Sequence, residues 1–112
     1  ADLIKKAGGK AFLAHIYGYI VDDYENFLDS IISLNVLDGI ECYHSLHSMD
    51  KTNYLLDYCS RHKLYASGGS DYHGKIKPDV KIGESISGVK IPYEILEPWL
   101  PPCLHLIFLP IF

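Results

Sequence analysis

Methionine and tryptophan occur once each in the 112 residues, and cysteine three times. Cys42, Cys59 and Cys103 are odd in number and none belongs to a C-x-x-C pair, which argues against a disulfide framework and a zinc knuckle and for the reduced thiols of a cytoplasmic protein. No window approaches the ~18 consecutive apolar residues that a membrane helix needs, and the opening ADLIKKAGGK has no apolar stretch of signal-peptide length. Positive charge is also sparse. Ten Lys and Arg stand against fourteen Asp and Glu, a formal net charge of −4, and the one cluster (Lys75, Lys77, Lys81) is interleaved with Pro78 and Asp79. Such a chain has no electrostatic footprint for duplex DNA. No internal repeat or low-complexity tract is present, and a single small soluble domain is expected.

The hydrophobic pattern points to alternating strands and helices. Lys5, Lys6 and then Gly8 or Gly9 read as the end of a helix, with basic residues at the negative end of its dipole and glycine in the left-handed position beyond it. KAFLAHI, 10–16, is a strand candidate buried on both faces of a parallel sheet. Tyr24, Phe27, Leu28, Ile31 and Ile32 fall on one helical face, and Asp22 followed by Glu25 forms a capping-box pattern. DGIECY, 38–43, is a second strand. Ser48 or Asp50 would cap a second long helix carrying Leu55, Tyr58, Cys59 and His62, and KLYAS, 63–67, is a third strand. The order β-α-β-α-β defines the fold class as α/β with a parallel sheet and right-handed crossovers. In such sheets functional loops gather beyond the carboxyl ends of the strands.

Those ends carry the chemistry. His15 follows the first strand, His44 and His47 follow the second with Glu41 just inside it, and Asp71 and His73 follow the third. Imidazole nitrogen and carboxylate oxygen are ligands for zinc, manganese and iron. In an extended SDYH segment, Asp71 and His73 would point to one side and Tyr72 away, while Gly68, Gly69 and Gly74 let the backbone turn. Taken singly, each residue also has a structural explanation. His15 could be a hydrogen-bonded core histidine, Asp71 a turn cap, Glu41 a partner for lysine, and His44 simply exposed. His62 and His105 are assigned no function.

AFLAH, then LDGIECYHSLHS, then LYASGGSDYHGKIKPDVKIG resemble in order and spacing the C-terminal half of PHP-domain (polymerase and histidinol phosphatase) proteins, a family of metal-dependent phosphoesterases. The likeness covers residues 1 to about 97 and is nearest to the stand-alone branch acting on nucleoside bisphosphates and short RNA. It implies part of a distorted seven-stranded β/α barrel holding two or three divalent metal ions (Mn, Zn, Fe or Mg). By the same resemblance His15, Asp71 and His73 would be metal ligands and catalytic residues. Glu41 and Tyr43 would lie on a pocket-lining strand, and His47 would contact phosphate. Where the family places proline after the alanine-histidine pair, this chain has Ile16. The family's histidine-x-histidine strand and the other N-terminal ligands have no counterpart in these residues.

The resemblance therefore implies a partial PHP domain over 1–97; after it comes a Pro-rich apolar tail, 98–112, of unknown role, which could cover a sheet edge, mediate association or be non-native sequence. The expected activity is hydrolysis of phosphomonoesters or short oligonucleotides, with His47 or Lys75 neutralising phosphate charge, within a longer enzyme or with the missing half supplied by another chain. The rival expectation is a catalytically incomplete fragment, binding at most one metal ion or acting as an oligomerising module.

Overall fold

Three parallel strands in the order β1-β2-β3 form the sheet of the computed structural model, which describes residues 1–100. The elements run α1 (Asp2–Lys6), β1 (Phe12–Leu13), α2 (Tyr24–Ile32), β2 (Gly39–His44), α3 (Met49–His62) and β3 (Tyr65–Gly69), with short 3-10 turns after β1 and β3. This is the α/β class expected, a parallel sheet alternating with helices and compatible with part of a β/α barrel. Among the described residues no helix is long and apolar enough to cross a membrane. The tail beyond residue 100, with Pro101, Pro102, Cys103, His105 and Pro110, lies outside the described residues.

Local signals explain most boundaries. Helix α1 ends in paired backbone bonds, Gly9 N–H to Ile4 O and Gly8 N–H to Lys5 O, with Gly8 at φ +81°, a conformation open to glycine because it has no Cβ. Ser48 caps α3 by accepting from the Lys51 amide. The cap of α2 is Asp23 rather than Asp22. Asp23 has the extended backbone (φ −138°, ψ 103°) that brings its carboxylate to the Asn26 amide at 3.0 Å, and Asn26 Nδ2 donates to the other oxygen of the same carboxylate at 2.7 Å. Strand β1 is far shorter than 10–16. It pairs with β2 alone, its residues are only half-buried, and carboxylates take over its flanking amides: Asp38 accepts from Ala11 N–H and Glu41 from His15 N–H, both at 2.7 Å. Strand β3 starts at Tyr65 because Lys63 is still the left-handed cap of α3.

The core lies between the sheet and its two long helices. Ile40 and Cys42 of β2 meet Leu28 of α2 and Leu55, Tyr58 and Cys59 of α3, with Ile16 closing one end. Tyr58 also ties the helices together by donating to Asp29 Oδ1 at 2.6 Å, and His62 stacks on its ring. The thiols of Cys42 and Cys59 lie 3.7 Å apart and form no disulfide; their mutual hydrogen bond, then burial, pushes the Cys42 thiol up, as befits an inert core cysteine. Alternation along β2 buries Ile40, Cys42 and His44 while Glu41 and Tyr43 stay half-exposed. A bulge between Glu41 and Tyr43 shifts the register against β3. Below the sheet, Trp99 packs on Phe12 with ring centres 4.8 Å apart and donates Nε1–H to Ala66 O at 3.0 Å.

Candidate active site

The carboxyl ends of the three strands collect His15, Glu41, His44, His47, Asp71 and His73. His15 sits one residue past the alanine that follows β1, in the left-handed region (φ 31°, ψ 56°), where a non-glycine residue needs outside support. Its amide is held by Glu41 Oε2 at 2.7 Å, and its ring lies 5.8 Å from that of His44 and 5.9 Å from that of Tyr19. His44 and His47 are 5.2 Å apart, centre to centre, and Tyr17 abuts His47 edge-on at 5.1 Å. His44 is buried, contrary to the exposed alternative. It continues the inward parity of Ile40 and Cys42.

Hydrogen bonding separates the two buried imidazoles. His47 Nδ1 lies 2.9 Å from Cys42 O, and because a carbonyl only accepts, Nδ1 carries the proton and Nε2 keeps its lone pair. His44 is the reverse. Its Nδ1 accepts from Leu46 N–H at 3.1 Å, so the neutral ring carries its proton on Nε2. Both Nε2 atoms are buried and have no hydrogen-bond partner among the described residues. Burial holds both imidazoles below the ordinary histidine value, with each ring reinforced by neighbouring positive charge. The unfolded chain therefore binds protons here before the folded one does. Their contribution to stability is present above pH ~6.5 and falls away as the pH drops towards the depressed folded values. Urea midpoints between pH 7.5 and 5 should decline, and replacing both with the nonionising His44→Gln and His47→Gln should flatten that slope; an unchanged slope would locate the acid sensitivity elsewhere.

Asp71 and His73 do meet, by a different geometry from the extended one expected. Asp71 is left-handed (φ 56°), and His73 Nδ1 donates to the Asp71 carbonyl at 2.7 Å while lying 3.5 Å from Asp71 Oδ1. That bond leaves the lone pair on His73 Nε2. Tyr72 points outward, 51% exposed. The Asp71 carboxylate is paired with the ammonium of Lys77, and this hydrogen bond, aided by the Lys77 charge, holds it below the usual aspartate value. Lys75 lies exposed on the turn Gly74–Ile76. Lys77, which sequence inspection passed over, reaches the site because that turn folds the chain back. Glu41 is pushed up by burial, opposed by the His15 amide and reinforced by the negative charge of Asp71. Next to these residues an open hollow of about 490 Å³ is lined by Ser45, Leu46, Lys81, Glu84 and Ser85, among others.

These donor types suit a divalent cation, and two observations favour one. His73 and His47 each give Nδ1–H to a backbone carbonyl and keep Nε2 for a ligand, the orientation usual for metal-bound histidine, and the Nε2 of His47 is a buried orphan. The placement is only partial, however: among the described residues no group of three or more His, Cys, Asp or Glu side chains is arranged to hold an ion.

A solved structure supplies a likeness. It is a protein from Bifidobacterium adolescentis, provisionally described as a metal-dependent phosphoesterase, and it matches with a TM-score of 0.59 and 31% identity over 88% of this chain. The match takes up 35% of that protein, so the present chain spans about a third of its length. No family model matches the chain, and no curated protein matches it at a significant level.

Proposed function

We propose that the chain forms the carboxyl-terminal part of a metal-dependent phosphoesterase of the PHP type, hydrolysing phosphomonoesters or short oligonucleotides. The observation that supports this is the placement of His15 after β1 and of Asp71 and His73 after β3 at one edge of the sheet, on a chain 31% identical to a protein provisionally described as a metal-dependent phosphoesterase. His15, Asp71 and His73 would hold divalent metal, manganese, zinc, iron or magnesium, alongside ligands from a part of the enzyme outside these residues. When bound, the metal lowers the pKa of water to give hydroxide near neutral pH and polarises the phosphoryl oxygens. His73 presents its Nε2 lone pair, fixed by its Nδ1–H bond to Asp71 O. The buried Nε2–H of His44 is a donor without a partner among the described residues, suited to a phosphoryl oxygen, and His47 lies beside it. Lys75 and Lys77 supply positive charge at the rim.

The test is metal stoichiometry by elemental analysis of the 112-residue chain grown with manganese, zinc and iron, with phosphate release from nucleoside bisphosphates assayed in parallel. Two or three ions per chain with turnover support the reading; a metal-free, inactive chain that stays so when the remaining portion of the enzyme is supplied in trans rejects it. A second reading, a catalytically incomplete fragment that binds at most one ion or self-associates, is favoured by the pairing of Asp71 with Lys77 and by the partial ligand arrangement. One ion per chain, no turnover and a molecular mass rising with concentration would select it.

A further inference from the structure

We infer that Glu41 is a positioning residue, whose carboxylate holds the loop after β1 while lying against the last residue of β3, and so sets the placement of the His15 imidazole at the strand ends. Its two oxygens have different neighbours. Oε2 accepts from the His15 amide at 2.7 Å, 26 residues away in sequence. Oε1 lies where a side chain on Gly69 would begin, 2.9 Å from the Cβ position at that residue, so the strand end leading to Asp71 is bare to admit it. His15 is a left-handed non-glycine residue with no side-chain cap of its own, and the Glu41 bond is what offsets that backbone conformation. The His15 ring lies beside Gly18, where an added Cβ would stand 3.4 Å from His15 Nδ1. A shift of the His15 backbone therefore moves the imidazole directly. This role rests on the proposed metal site for its purpose, but its physical content, a clamp on His15, is independent of metal.

The experiment compares the unaltered 112-residue chain with Glu41→Ala, Glu41→Gln and Gly69→Ala, reading amide hydrogen exchange at His15 and the ring-proton shifts of His15 by NMR, then manganese binding. Glu41→Ala should speed His15 exchange by about tenfold or more, the scale of a lost hydrogen bond to a charged acceptor, and should shift the ring signals, which report proximity to Tyr19 and His44, with the core resonances of Leu28 and Leu55 unmoved. Glu41→Gln, which keeps a carbonyl acceptor, should restore most of both. Gly69→Ala pushes the carboxylate from the other side and should loosen His15 although Glu41 remains; it decides the matter if Glu41→Ala fails to fold. Exchange and ring shifts at His15 that stay at their unaltered values in Glu41→Ala, or in Gly69→Ala where that variant decides, would overturn the inference. Absence of manganese binding by the unaltered chain would count against the phosphoesterase reading alone, and the His15 signals would still decide this one.

Discussion

On the proposed phosphoesterase reading, Asp71→Asn is expected to abolish manganese binding and metal-dependent phosphate release while leaving the urea midpoint close to that of the unaltered chain. Asparagine is among the few side chains that tolerate the left-handed backbone found at this position (φ 56°), so the loop after β3 should keep its shape. What disappears is the anionic oxygen. The effect should exceed the roughly 10- to 100-fold that losing an outer partner of a ligand brings, since here the charged donor itself is removed. Lys77→Ala provides the opposite arm. The Lys77 ammonium occupies the same carboxylate that a cation would use, so removing it should leave manganese binding equal or tighter. If Lys77→Ala weakens binding as much as Asp71→Asn does, the pair is a structural unit and Asp71 is not a ligand.

Leu55→Ala should destabilise the chain by about 2–5 kcal/mol. Leu55 is fully buried on α3 at the centre of the cluster formed with Ile40, Leu28 and Cys59, where close packing leaves little room for neighbours to collapse into the space. A loss of that size is a large share of the roughly 5–15 kcal/mol that holds a whole domain together. Leu34→Ala, at a leucine 66% exposed, is the control and should change stability by no more than about 0.5 kcal/mol. Equal midpoints for the two variants in urea would mean that α3 does not pack on the sheet as described.

Short-range patterns carried much of this architecture. The glycine pair after α1, the serine before α3 and the apolar run of β2 each act through neighbours within a few residues, and each element forms where its local chemistry points. Asp22 and Asp23 show the limit of that logic: two equivalent side chains stand side by side, and only backbone conformation selects the second as cap. The shortening of β1 depended on Asp38 and Glu41, carboxylates some 26 residues downstream that take its flanking amides. No periodicity records such a partner. Gathering His15, Asp71 and His73 at one edge followed from strand order, but the left-handed turn at Asp71 and the reach of Lys77 are loop geometry, which glycines permit without specifying. The burial of His44 was within reach of inspection, since it has the same parity as Ile40 and Cys42.

The indole of Trp99 touches both outer strands at once, stacking on Phe12 of β1 and donating to the Ala66 carbonyl of β3. Because the chain has a single tryptophan, its intrinsic fluorescence comes from one known place. Emission wavelength and quenching would therefore follow the two strand edges drawing together or parting, separately from the helical circular dichroism of α2 and α3. The molecule carries its own optical gauge of whether the sheet is assembled before, with or after the helices that cover it.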